Sequence, residues 1–269
     1  CSIAYGPLDH VIYDCRLAAY KTDERDLARL HVERLDELGL GGSLLLFDRW
    51  YPSAEFISFL YQRGYQFVMR VRSKWNLEVD AIRTQGYVSL SHENHEFDLR
   101  VLKVKLNTGE TETLLTSLGQ KQLPIRQAGA LYFKRWAIET SFELIKIKPQ
   151  LENFSGKTVT SIFQDFYAPM YLPALTAFAA GSADQIIADA DADKNLRYPR
   201  QANRNCSIHK LRKLFLCFIM EPDASLREAM LHRLVSDIAK CPVSIVPGRS
   251  PTRKSPRSKH FHIAKNSVV

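Results

Sequence analysis

Leu131–Gln150 reads LYFKRWAIETSFELIKIKPQ. Four of its residues carry chemistry, Tyr132, Arg135, Glu139 and Lys146, at offsets of three, seven and fourteen from the first. A helix turning about 100° per residue sets them at roughly 0°, 300°, 340° and 320°, within one stripe about 60° wide. Leu131, Ile138, Phe142 and Ile145 lie beside that stripe and form the face that would dock on a core. Pro149 ends the helix. Two readings are open on this evidence. Arg135 and Glu139 are an ordinary i,i+4 ion pair on an amphipathic helix, or the carboxylate holds a metal ion while its cationic neighbours grip phosphate oxygens.

Working outward, the 269 residues suffice for a substantial core. Apolar residues make up 45% and charged residues 25%, ordinary for a globular protein. Lys and Arg number 37 against 29 Asp and Glu, a net charge of +8. With a pI near 9.2, this favours an anionic partner such as nucleic acid, or simply a solubilising surface. Five cysteines at wide spacing, with no C-x2-C pair, argue against a disulfide framework or a cysteine zinc site and for a reducing cytoplasm. The apolar run near 167–180 is too short and proline-broken to span a bilayer, and no secretory signal is visible.

Upstream, Ser2–Tyr5 and Val11–Leu17 read as strands around a Gly6-Pro7 turn. Thr22 or Asp23 caps a helix through about Leu38, carrying Leu27, Leu30, Leu35 and Leu38, with Gly39 closing it. Ser43–Asp48 is a continuous apolar run of the kind buried on both faces of a sheet. A second helix follows over Ser53–Arg63. Strands are expected at Gln66–Arg72, Phe97–Leu106 and Glu112–Leu118, with a hairpin at Asn107–Glu110. Helices return near 161–180, 183–191, 207–217 and 224–239. From Pro242 the chain has no acidic residue, and Arg249, Arg253, Lys254, Arg257, Lys259 and Lys265 form a basic tail, either solvated or laid along a DNA backbone.

Asp48, at the C-terminal end of its strand, is the second candidate carboxylate, since sites in α/β sheets form at strand ends; a loop or capping aspartate is the plainer alternative. With Glu139 it would suit two-metal phosphoryl transfer on oxygen ligands, hence Mg²⁺ or Mn²⁺. His92-x2-His95 and His260-x-His262 read as surface histidines, and Trp75 and Trp136 as core aromatics more than base platforms. Ser155-Gly-Lys-Thr158 lacks the earlier glycine and the strand of a Walker motif, so a nucleotide site is rejected.

Tyr132-x2-Arg135-x3-Glu139-x6-Lys146 resembles the Y-R-E-K signature of bacterial insertion-sequence DDE transposases. Leu151–Thr158 and Phe163–Tyr167 resemble its continuation. The resemblance implies an α/β fold: a ribonuclease-H-like core, incomplete at the N-terminus, with a β-rich insertion and C-terminal helices. It divides the chain into core (1–64), insertion (65–120), core with signature helix (121–180), a helical region (181–241) and the tail (242–269). It makes Asp48 and Glu139 catalytic and metal-binding, with Mg²⁺ or Mn²⁺ as cofactor. Tyr132, Arg135, Lys146 and Arg49 would be DNA-binding. Double-stranded DNA ends and target are the implied partners, met by a homodimer in the cytoplasm at the nucleoid, with no membrane. Trp50 stands where the family's Asp-Arg-Gly-Tyr-like stretch has glycine, and a bulky side chain there would crowd the metal site. Of the early aspartates only Asp9 and Asp14 are candidates for the first catalytic position. The 34-residue separation of Asp14 and Asp48 leaves no room for two further strands. The first strand with its aspartate is therefore expected upstream of Cys1, and the chain is expected to be a fragment. The alternatives are a catalytically inactive DNA-binding remnant and a metal-dependent nuclease on the same core.

Overall fold

The computed structural model of this chain describes residues 1–19, 21–106, 109–136, 138, 156 and 158–246. It opens with the antiparallel pair β1 (Ser2–Tyr5) and β2 (Ile12–Arg16). Helix α1 (Glu24–Glu37) starts at Asp23, whose carboxylate accepts the Arg25 N–H at 2.9 Å. Glu24 and Asp26 in the first turn favour the positive end of the helix dipole. The buried stripe of α1 is Leu27, Ala28, His31, Val32 and Leu35. Leu30 and Leu38, expected on that face, are exposed instead. Leu30 sits about 100° from the middle of the Leu27–His31–Leu35 line, and Leu38 is the C-cap beyond the last turn.

His31 fills a core position because its polar atoms are matched. Its Nδ1 donates to Asp14 Oδ2 at 2.8 Å and its Nε2 lies 2.9 Å from Ser2 Oγ, while Arg16 Nε donates to the same Asp14 oxygen at 2.7 Å. These bonds tie β1, β2 and α1 together. Burial pushes the Asp14 carboxyl up, but the hydrogen bonds from His31 and Arg16 outweigh it and hold the group below its usual range. A carboxyl lowered in the folded state contributes stability above its unfolded pKa of about 3.9, and that contribution fades as pH falls through the folded value. Asp14→Asn should therefore cost about 1–3 kcal/mol at pH 7. The gap from wild type should shrink at pH 3 when urea midpoints are compared; an equal gap at both values would remove the charge from the account.

Strand β3 (Leu44–Phe47), helix α2 (Ala54–Gln62) and strand β4 (Gln66–Val71) form a β-α-β unit with the two strands parallel, Leu44 opposite Gln66 and Phe47 opposite Met69. Ser53 caps α2 by accepting the Phe56 N–H at 3.2 Å. After the short helix α3 (Leu77–Ala81) come β5 (Gln85–His92), β6 (His95–Lys105) and β7 (Thr111–Thr116). The strand order is β3-β4-β7-β6-β5, parallel only at its first pair. The strands of segment 65–120 thus continue one sheet with β3.

Along β4, Phe67, Met69 and Val71 point into a core with Phe56, Ile57 and Leu60 of α2 and Val32 and Leu35 of α1. Val68 points to the other face, where α4 (Ile125–Phe133) covers Leu102 and Leu114. That alternation makes a three-layer α/β arrangement, as expected for the class. The close seat of α4 requires Gly129, since a Cβ there would meet Val104 Cγ1 at 2.9 Å. Burial on both faces belongs to β4 and not, as expected, to β3. Leu44 is exposed and Leu45–Phe47 are half-buried, because β3 has one hydrogen-bonded neighbour among the described residues.

Two hairpins complete the sheet. His92 pairs with His95 across the β5–β6 turn, where Glu93 adopts φ 52°, so the His-x2-His sequence is a turn. Gly109, at φ 88°, shapes the β6–β7 turn expected at Asn107–Glu110, where the Leu106 N–H donates to Glu110 O at 2.8 Å.

Beyond Thr158 the chain is helical: α5 (Val159–Asp191), α6 (Arg204–Met220) and α7 (Ala224–Ala239). The two helices expected at 161–180 and 183–191 are one, and the domain boundary expected at 180/181 falls inside it. Gly181-Ser182 reads as a break, but Gly181 costs only about 1 kcal/mol in a helix. Flanking Ala179, Ala180, Ala183 and Ile187 pack against Leu211, Leu234 and Ile238 of α6 and α7. Phe166 and Met170 of α5 seat on Ile3 of the opening hairpin. The short strands β8 (Arg200–Ala202) and β9 (Pro242–Ser244) pair antiparallel beside this bundle. No described helix is long and apolar enough to cross a membrane. The tail beyond Val246 lies outside the described residues.

Candidate active site

Asp48 follows β3 directly and opens a tight turn, its Oδ1 accepting the Arg49 N–H at 2.7 Å and its carbonyl accepting the Tyr51 N–H at 3.2 Å. Tyr51 anchors that turn: its ring lies 5.1 Å from Phe47 and 6.1 Å from Phe56, and burial pushes its phenol up to about 12. An aromatic clamp under the turn thus presents Asp48 at the C-terminal end of a parallel strand.

Tyr132 reaches this strand end from α4, 85 residues later in the chain. It is 2% exposed, and its hydroxyl donates to Phe47 O at 3.2 Å, one residue before Asp48. Burial pushes its phenol up to about 12, against the lowering influence of Arg135. The structure therefore brings together Asp48 and the first residue of the Y-R-E-K pattern. The hydroxyl proton expected to serve DNA is committed to the Phe47 carbonyl, so Tyr132 docks α4 on β3.

The Arg135 guanidinium lies 5.6 Å from the Tyr132 ring centre and 5.5 Å from that of Trp136. This agrees with their expected common stripe, although the helix differs. Regular α4 ends at Phe133, and Lys134 and Arg135 form a turn, their N–H groups donating to Leu131 O and Tyr132 O at 3.1 and 3.0 Å. Trp136, expected in the core, is 43% exposed beside Arg135. Trp75 is core-packed as expected, its Nε1–H donating to Pro52 O at 3.1 Å. Glu139 and Lys146 lie outside the described residues.

Trp50 was expected to crowd the carboxylate. Its ring is 57% exposed and stacks against the Arg72 guanidinium at 4.0 Å, with Arg49 at 5.9 Å. Arg72 was missed from the sequence. The parallel register that sets Phe47 opposite Met69 also sets Trp50, three residues on, beside Arg72, three residues on. Asp9 and Asp14, the early candidates, are both engaged: Asp9 accepts from Tyr13 Oη and the Val11 N–H, and Asp14 from Arg16 and His31.

Asp48 fits a hard cation as one oxygen ligand. Among the described residues no cluster of three or more His, Cys, Asp or Glu side chains could hold a metal. The second expected ligand, Glu139, is not among them.

Residues 1–168, more than half of the chain, match the family described as Transposase DDE domain. The chain belongs to the DDE transposase family. Its mixed five-stranded sheet with helices on both faces fits the ribonuclease-H-like core expected of that family. Among solved structures, it is similar to a piggyBac transposase in a synaptic complex with hairpin DNA, at 17% identity and a TM-score of 0.41. The alignment covers 86% of this chain and 48% of that one, so the chain spans about half the length of that transposase. No curated protein matches the chain.

Proposed function

We propose that this chain is the catalytic-core portion of a transposase that binds the DNA ends of its element. In the complete protein it cuts and joins strands there with Mg²⁺ or Mn²⁺. The observation that carries the reading is the Tyr132–Phe47 bond, which fixes the start of the Y-R-E-K segment against the strand end bearing Asp48. Asp48 and Glu139 are the proposed catalytic and metal-holding carboxylates. The bound metal ions would supply charge neutralisation and activation of the attacking oxygen. Arg49, Arg135 and Lys146 would grip backbone phosphates, with Tyr132 positioning Arg135, and two copies would act on paired ends. The segment 65–120 is proposed as the family's β-rich insertion, built onto the core sheet through β4 and β7.

A non-cleaving DNA-binding protein is the second reading, favoured by the engagement of both early aspartates with neighbouring side chains. The deciding experiment incubates the full chain with supercoiled plasmid and Mg²⁺, Mn²⁺ or EDTA, alongside a duplex-binding assay. Metal-dependent nicking with strand joining carries the first reading, and nicking without joining a nuclease on the same core; binding without nicking carries the second; absence of both ends the DNA assignment. Lys146→Ala should weaken duplex binding and reduce the slope of log K against log salt by about 0.9, one released counterion. An unchanged slope would take Lys146 off the backbone.

A further inference from the structure

The C-terminal helical unit brings two of the five cysteines together. Cys206 is the third residue of α6, and Cys241 lies two residues past the end of α7. Asn203 holds both backbones: its N–H donates to Cys241 O at 3.1 Å, and its side-chain Oδ1 accepts the Cys206 N–H at 3.2 Å. The β8–β9 pairing, Ala202 opposite Pro242, fixes the same register. The two side chains lie close enough to interact directly, and both are half-buried, within reach of a small oxidant. Lys210, one turn along α6 from Cys206, lies close to Cys241, and its ammonium donates to Asp237 O.

We propose that Cys241 and Cys206 form an oxidation site, in which peroxide oxidises Cys241 and Cys206 resolves the product as an intramolecular disulfide. Their surroundings assign the roles. The neighbouring Cys206 thiol and the Lys210 ammonium outweigh burial and hold Cys241 below the usual thiol range. Cys206 is pushed up by the neighbouring Cys241 sulfur and by burial, so it stays protonated as the second thiol. Cys15 is a poor competitor, since burial pushes it up to about 11.

The chemistry closes on two thiols and one peroxide. The Cys241 thiolate attacks the O–O bond, forming an S–O bond and expelling hydroxide; sulfur is oxidised and peroxide reduced. The Cys206 sulfur then attacks the sulfenic sulfur, the S–S bond forms, and the departing hydroxide takes the Cys206 proton as water. The bridge would tie the first turn of α6 to the start of β9 and enclose both helices in one loop.

The test treats the full chain with hydrogen peroxide, blocks remaining thiols with N-ethylmaleimide and maps peptides by mass spectrometry. In wild type, a Cys206–Cys241 linked peptide is expected within the monomer, two hydrogens lighter than its parts, while Cys217 still alkylates. Cys206→Ser should leave Cys241 as a sulfenic acid captured by dimedone; Cys241→Ser should leave Cys206 alkylatable. The proposal is overturned if wild-type Cys241 goes to sulfinic acid with Cys206 still alkylatable. A bridge to Cys217, to Cys1 or between chains overturns it equally. The wild-type map decides whether or not a variant folds.

Discussion

Tyr132→Ala is expected to destabilise the chain by about 3–5 kcal/mol, the usual cost of deleting a buried aromatic ring. That is much of the roughly 5–15 kcal/mol that holds a typical domain together. The ring is fully enclosed by Val68, Leu102, Leu114 and Ala128, so its removal leaves a cavity between α4 and the sheet. The same change leaves the Phe47 carbonyl without its partner. Tyr132→Phe separates the two contributions: the ring stays, the hydroxyl goes, and the loss should be only about 0.5–1.5 kcal/mol. Urea unfolding of the two variants reads this directly. A loss below about 1 kcal/mol for the alanine variant would mean that α4 is not held by this residue. The docking role would then fail, and with it the link between the signature segment and Asp48.

The elements that sequence made legible are those with a local chemical signature. Asp23 and Ser53 cap α1 and α2 as side-chain acceptors must, Gly109 supplies the positive φ of its hairpin, and β4 falls where alternation marked a strand at Gln66–Arg72. What stayed hidden depends on partners distant in the chain. Strand β5 reads as polar, QGYVSLSH, and buries only Val88 fully; it is a strand because β6 offers it eight paired positions. The break at Gly181 vanished because α6 and α7 cover the alanines around it. For the site, the pattern of spaced residues drew attention to Tyr132 and Arg135 correctly as neighbours. A helix wheel could not show that Tyr132 faces inward to a backbone carbonyl, because a carbonyl acceptor has no residue identity to read. The Trp50–Arg72 stack was within reach, since it follows from equal offsets past two parallel strands; the register needed for it comes only with the β3–β4 pairing.

Asp48→Asn should abolish metal-dependent strand cleavage, by at least about 10²–10³-fold, the scale on which one preorganised electrostatic group acts, while leaving the fold intact. Asparagine keeps the Oδ1 acceptor that receives the Arg49 N–H, so the turn closed by Asp48 O and the Tyr51 N–H should persist. Stability should stay within about 0.5 kcal/mol of wild type, as for a substitution outside the core. Duplex binding through Arg49, Arg135 and Lys146 should survive, or tighten slightly as a negative charge near the phosphates is removed. If Asp48 and Glu139 act as one unit, Glu139→Gln should cost about as much as Asp48→Asn. The double variant should then be little worse than either, the non-additivity of residues that fail together. Rates of plasmid nicking by wild type and the three variants, each beside a binding isotherm and an unfolding curve, provide the measurement. Cleavage that survives in Asp48→Asn would remove the strand-end carboxylate from the chemistry. Costs of the two single variants that multiply in the double would assign them to separate steps.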